Sequence, residues 1–441
     1  MAAGLTERIC DLVAQPPALS VADREDILLA FADTLACAHA GWAEPVTRAV
    51  AGALRGGAVP LLDGSMAPSA EHAALVTATA GHALDYDDVH LDSTTHPSVV
   101  IVPALLAMQA EQGLDQARLA PAFAVGVAVN AALGRAMGFA HYRCGWHATS
   151  TIGPLAGAAA LAHLMGLDRA ATRHALALAA AQSGGLQRNF GAMAKPAQAG
   201  FAASAAVRAA TLAAAGVTAD ADIFGAGGFL DLYGGDAGAT ARGATVALDA
   251  RPGSIARKLY PCCYATHRLI AAALDARAQW GGPPPGGSVL TLHVPAGGMQ
   301  PLRSTLPATG LEAKFPAEYT VAVALWQGRL GLADFEDAAV ARAGDWMARV
   351  TVIEEPVPAD GSQGLEHGEA RLEVRYGNHV VEGRAGPIPG SPARPATRAE
   401  MDAKIADCLA RHAATGAQVP APAAFMAGLG RLLAPPVAVA A

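Results

Sequence analysis

Lysine is almost missing from this 441-residue chain: of 31 basic residues only four are lysine, Lys195, Lys258, Lys314 and Lys404. The 38 acids outnumber the basic residues, giving a formal net charge of -7. The broad positive field that nucleic acid demands is therefore absent, and an anionic ligand needs a local cationic pocket. The six cysteines (Cys10, Cys37, Cys144, Cys262, Cys263, Cys408) are scattered, with no C-x-x-C pair. That excludes a zinc frame and makes an iron–sulfur dehydratase, which needs clustered cysteine ligands, a poor fit. Charged residues are scarce at 16% against 52% hydrophobic, too apolar a balance for disorder. The start, MAAGLTERICDLV, carries Glu7 and Asp11 and lacks a basic stretch before an apolar core, so no secretory signal is expected. The most apolar windows are broken by Asn130, Arg135 and His163, which predicts packed soluble helices rather than membrane spans. The expectation is a reduced, cytoplasmic protein with neither nucleic acid nor membrane as partner.

With arginine serving as the generic surface cation, the few lysines are candidates for positions that need a compact ammonium able to change its proton. From Leu5 to about Gly216 the pattern is helical almost throughout. Ser20 and Asp23 form a capping-box signature. Further helices are expected over residues 45–54, 69–85, 97–112, 115–137, 153–165, 169–182 and 196–215. After Arg257 alternation takes over: strands are expected at 288–295, 348–354 and 370–376, the last turning at Gly377-Asn378 into 379–383. Helices are expected at 263–279, 316–327 and 334–344, and again at 397–412 and 422–433. The fold class is thus mainly α: a large all-α helical domain built from both chain ends (1–257 and 394–441) with an α+β domain inserted at 258–393. The Gly225–Gly228 stretch and the Gly234-Gly235 pair read as turns, not phosphate loops.

Five segments concentrate chemistry. GHALDYDDVHLDSTTHP (81–97) packs Asp85, Asp87, Asp88, Asp92, His82, His90 and His96 into a helix end and the loop after it. If the helix persists to Asp88, Asp85 and Asp88 share a face. Such a set suits acid–base work or a divalent metal, and equally a solvated acidic loop. HYRCGWHATSTIGPLAG (141–157) places His147 before hydroxyls and a helix start, where it could hold a carboxylate or simply sit in the core. NFGAMAKPAQAG (189–200) sets Lys195 before Pro196 at a loop-to-helix junction. ARKLYPCCYATHR (256–268) sets Lys258 before a tight turn; its adjacent cysteines are too close for an ordinary disulfide. GLEAKFPAEYTVAVAL (310–325) carries Tyr319 on a helix, as readily core as catalytic. Lys195, Lys258, His96 and His147 together would make a cationic pocket for a small polycarboxylate, with Asp85 and Tyr319 adding proton-transfer groups.

The run HALDYDD…HPS, GWHATSTIG, AKPAQAG, KLYPCCYATHR and LEAKFPAEY, in this order, resembles the MmgE/PrpD family over nearly the whole chain. That family includes 2-methylcitrate dehydratases, cis-aconitate decarboxylases and an iminodisuccinate epimerase. The resemblance implies a helical domain from both chain ends, an α+β lid domain and a homodimer. It also implies a site in the cleft between the two domains, formed by Asp85, His96, His147, Lys195, Lys258 and Tyr319, with no metal and no organic cofactor. The implied activity is a lyase on a small di- or tricarboxylate (dehydration or decarboxylation), with epimerisation the near alternative. A metal-dependent hydrolase and an inactive scaffold are the alternatives of other classes. Three positions depart from the family pattern: Val89 where threonine is common, Ala194 for threonine and Gln198 for histidine.

Overall fold

The computed structural model describes residues 3–54, 56–242, 246–303, 306–361 and 367–435. The labels used are α1 (Val21–Ala40), α2 (Ala70–His82), α3 (Pro97–Gln112), α4 (Leu119–Arg143), α5 (Ala148–Met165) and α6 (Ala194–Ala214) in the N-terminal half. In the C-terminal half they are α7 (His267–Trp280), α8 (Ala317–Gln327) and α9 (Arg398–Ala413), with strands β1 (Val289–Val294), β2 (Val350–Glu354), β3 (Ala370–Tyr376) and β4 (His379–Ala385).

Helix α5 is buried from Ala148 to Leu164, packed against α3, α4 and α6. A helix apolar all round is what a central position requires. Small residues let its neighbours come close: a Cβ added at Gly157 would lie 2.6 Å from Ala206 Cβ, and one at Gly200 would lie 2.6 Å from the Leu75 carbonyl oxygen. These two glycines bring α5 and α2 onto α6, so the segments that follow α2 and precede α5 and α6 meet. Helix α4 is long and apolar enough to cross a membrane by length and composition, but 83% of its most apolar window is buried inside the protein.

The capping box at Ser20 and Asp23 forms as expected and opens α1. Helix α9 and the helix Pro422–Leu432 return to pack on α1, contributing Ile405, Leu409, Phe425 and Leu429 to the same core. Residues 436–441 of the expected return lie outside the described residues.

Four strands form one sheet in the order β2-β1-β3-β4, with β1 and β2 parallel and the other pairs antiparallel. The β3–β4 hairpin turns at Gly377-Asn378 with Tyr376 opposite His379, the expected register. Helix α7 covers the sheet closely, since a Cβ at Gly383 would fall 2.1 Å from the Ala272 carbonyl oxygen. Its core joins α7, α8 and the inner face of the strands.

Helix α5 begins at Ala148 rather than 153, and the helix expected over 334–344 is a 3-10 turn (Leu332–Phe335) and two short helices, Asp337–Arg342 and Gly344–Met347. Two further expectations fail outright. Helix α2 stops at His82 rather than Asp85, because Asp85 takes a left-handed backbone (φ 53°) that ends helical geometry. Asp85 and Asp88 therefore share no helix face. The Gly234-Gly235 pair lies inside a helix, Phe229–Arg242, broken at Gly235 (φ 55°), rather than in a free turn.

Candidate active site

The loop from Ala83 to His96 joins α2 to α3 and is pinned from outside. Asn130 on α4 donates to Ser93 Oγ (2.9 Å) and Thr95 Oγ1 (2.8 Å), while Val89 pairs by backbone with Ala256. Its centre, Leu84-Asp85-Tyr86, is held by lysines. Lys314 Nζ donates to the Leu84 carbonyl, Lys258 Nζ to the Asp85 carbonyl and Lys404 Nζ to the Tyr86 carbonyl, each at 2.7–2.8 Å. Lys314 also donates to the Pro261 carbonyl and Lys404 to that of Lys258, so each ties this loop to the segment carrying Lys258. Lys195 completes the set, 2.7 Å from Asp85 Oδ1, with Lys258 at 2.6 Å from the same oxygen. All four lysines of the chain thus act on three consecutive residues, and all four are buried. Three successive anchored carbonyls also account for a non-glycine residue persisting in a left-handed conformation.

Burial pushes the Asp85 carboxyl up, but the Lys195 and Lys258 ammonium groups outweigh it and hold Asp85 well below the usual range. In Lys258, the burial penalty is overcome by Asp85 and its pKa is raised. Lys314 pairs with no carboxylate among the described residues; burial pushes it down to about 8, with its ammonium 4.5 Å from the centre of the Phe335 ring.

The histidines form a second layer. Asp87 accepts from His82 Nδ1 with both oxygens at 2.9 Å and lies 3.2 Å from His96 Nδ1. His96 Nε2 is 3.9 Å from Asp85 Oδ1. Burial lowers the pKa of His82 to about 4; it also lowers His96, against the pull of Asp87, and takes His147 well below the usual value. These imidazoles are neutral at pH 7. The His147 ring stacks on His82 (centroids 5.7 Å apart, 18° between planes) and meets the edge of Phe190.

Asp85, His96, His147 and Lys195 line one inner cavity, together with Phe190 and Phe315. Three buried atoms of these residues have no hydrogen-bond partner among the described residues: Asp85 Oδ2, His96 Nδ1 and His147 Nε2. The volume is only about 30 Å³. Pro301 also lines an outer cleft of about 980 Å³, which carries Arg143, Arg188 and Arg303.

Of the six residues singled out in the sequence, four line the cavity. Lys258 does not; it is fully buried and grips Asp85 from behind. Tyr319 is not part of the cluster. It packs in the core between α7, α8 and the sheet, against Phe335, and its hydroxyl donates to the Asp334 carbonyl. A helical tyrosine with its hydroxyl satisfied inside an apolar core has nothing left to offer a substrate. Sequence reasoning missed Asp87 and His82 as the neighbours of His96, and Lys314 and Lys404 as anchors. The scarcity of lysine was the available signal for the last two.

The ligand atoms of His82, Asp85, Asp87 and His96 lie within 4.8 Å of one another, a spacing a metal ion could use. Two ammonium groups already occupy Asp85 Oδ1, and a divalent cation there would meet their repulsion.

The N-terminal domain of the MmgE/PrpD family matches residues 7–242, and its C-terminal domain matches residues 260–419. The chain is 28% identical to the human cis-aconitate decarboxylase over 291 residues, 62% of this chain and 58% of that protein. It is likewise 28% identical to a cis-aconitate decarboxylase of Aspergillus terreus over 300 residues, 63% of this chain and 61% of that one. The match therefore spans about three-fifths of the length of these relatives. With both family domains matched in order, this chain is a member of the MmgE/PrpD family.

Proposed function

We propose that the protein is a cofactor-independent lyase acting on a small di- or tricarboxylate, with decarboxylation of a cis-aconitate-type acid as its leading reaction. The observation that carries this reading is the inner cavity, where the Lys195 ammonium stands beside a free carboxylate oxygen of Asp85 and a free ring nitrogen of His147. The names of the relatives supply the substrate class.

Lys195 and His147 would receive carboxylate oxygens. His96, neutral and with an Asp87 oxygen 3.2 Å from its Nδ1, would move the proton through Nε2. Asp85 is too acidic to serve as that base and instead fixes Lys195 and Lys258. Loss of carbon dioxide breaks a carbon–carbon bond and leaves an electron pair delocalised into the neighbouring carboxylate. That pair then takes a proton from the Lys195 ammonium, and solvent restores it by way of His96 Nε2. The apolar wall of Phe190 and Phe315 favours decarboxylation, since a carboxylate seated there loses hydration that its neutral product does not need. A cavity of about 30 Å³ is far smaller than the roughly 300 Å³ or more of ordinary ligand sites, so the side carrying Pro301 and Phe315 would act as a lid that opens for entry. A homodimer in the cytoplasm completes the proposal; light scattering checks the former.

Proton NMR in D₂O of chelator-treated protein tests the reaction, with cis-aconitate, citrate, 2-methylcitrate and an iminodisuccinate-forming mixture supplied separately. Loss of a carboxyl group from cis-aconitate is the expected result. New vinyl signals from the hydroxy acids would indicate dehydration, and deuterium entry without net change would indicate epimerisation. Activity that returns only on adding a divalent metal would favour the hydrolase reading of the His82, Asp85, Asp87 and His96 cluster.

A further inference from the structure

Gln198, on the first turns of α6, reaches the back of His147. Its amide orientation is settled by the backbone N–H and carbonyl of Leu186. Oε1 accepts from the Leu186 backbone N–H (2.8 Å) and from Asn189 Nδ2 (3.0 Å), while Nε2 lies 3.4 Å from the Leu186 carbonyl oxygen. A flipped amide would set its NH₂ against the Leu186 N–H and its oxygen against the Leu186 carbonyl, mismatching both ends of the buried Gln198 amide. The nitrogen is therefore the atom that faces His147, at 2.8 Å from Nδ1. An amide nitrogen only donates, so Nδ1 must be the acceptor, without a proton.

The rest of the ring's environment agrees. His147 is buried, stacked on His82 and edge-on to Phe190, which hold the ring plane. Burial and the nearby cations keep it neutral. A neutral imidazole with Nδ1 bare carries its proton on Nε2, and Nε2 is the buried atom without a partner in the residue that lines the cavity.

We infer that Gln198 is a positioning residue that locks His147 in its Nε2–H form, making His147 a hydrogen-bond donor to a substrate oxygen and barring it from acting as the base. The donor role rests on the function proposed above; the tautomer does not. The two cavity imidazoles then divide the work: His96, with the Asp87 carboxylate 3.2 Å from its Nδ1, would present a lone pair, and His147, hydrogen-bonded to an amide donor, a proton. The reversed backing of the two rings is what separates them.

The test is ¹⁵N NMR of the full-length protein labelled at histidine, without ligand, with the His147 signals identified by their loss in His147→Asn. The wild type is expected to show a pyrrole-type Nε2 and a pyridine-type Nδ1 from pH 6 to 8. Gln198→Glu puts an acceptor opposite Nδ1 and is expected to protonate that nitrogen. With cis-aconitate as probe, this variant is expected to lose about 100-fold in kcat, the usual effect of removing one preorganised donor, and its pH–rate profile is expected to move. A wild-type His147 protonated at Nδ1 would overturn the inference without any variant being needed. A Gln198→Glu protein with reversed nitrogens but wild-type kcat and pH profile would overturn the donor role. If the wild type turns over none of the acids, the proposed function and the donor role fall together, while the tautomer measurement still stands or falls by itself.

Discussion

The inner network and the outer cleft both carry cations, and they treat them in opposite ways. Around Asp85, four buried lysines spend their donors on backbone carbonyls and on the carboxylates of Asp85 and Asp33. In the outer cleft Arg143, Arg188 and Arg303 are exposed and form no ion pair among the described residues. A lysine ammonium is a compact point charge that fits between carbonyls; a guanidinium is a planar fork suited to carboxylates arriving from solvent. In a chain that otherwise uses arginine throughout, the chemical difference between the two residues separates the cations that build the inner network from those exposed in the outer cleft.

Acid should act on the buried interior before the exposed cleft. His39, His82 and His90 are pushed by burial to about 4 from 6.5. Between those values the unfolded chain holds protons that the folded chain refuses, so stability falls as pH drops from 6.5 to 4. Asp88, raised by burial to about 7, works the other way over part of that range. These three against Asp88 leave a net loss on the order of 5 kcal/mol, to which His96, His147 and His267, lowered in the same direction, add; it is readable as a falling urea midpoint below pH 6.5. Next in size, Lys404→Met leaves Asp33 buried without its partner at 2.6 Å and should cost about 3–5 kcal/mol by denaturant unfolding. Lys314→Met abandons two carbonyls but no carboxylate, and should cost less, about 1–3 kcal/mol. If these two variants cost the same, the distinction drawn between the two clamps is wrong. Smallest in stability is Arg143→Gln, Arg188→Gln and Arg303→Gln combined, within about 0.5 kcal/mol of wild type. That triple variant should lose about tenfold in kcat/KM on cis-aconitate at low salt and recover towards wild type at high salt.

The same contrast explains what could be read in advance. Helix α3 runs over 97–112 as the pattern predicts, because Pro97 and Gly113 mark its ends locally. The β3–β4 hairpin is equally local, set by Gly377-Asn378. The presence of Asp85, His96, His147 and Lys195 at one cavity was legible from scarce lysine, clustered acids and histidines, and the family resemblance. Their directions were not. Asp85 turns out of helix geometry because lysines 173 to 318 residues away take its backbone and that of Tyr86, and Lys258 lies behind Asp85 rather than before it. Tyr319 follows its helix into a core that only the sheet creates. Gln198, which in the sequence looks like a lost imidazole, gains its meaning from Leu186 and His147, neither of which periodicity could place beside it.

The central claim is that the inner cavity takes a small polycarboxylate on Lys195. Isothermal calorimetry with tricarballylate, a saturated tricarboxylate lacking the double bond of cis-aconitate, tests it most directly on wild type and on Lys195→Met, each shown to be folded. The account predicts binding at a single site per chain, weakened at least about tenfold by the substitution, the loss of one charged hydrogen bond. Folded wild-type protein that gives no binding, or a Lys195→Met variant that binds equally well, would contradict it.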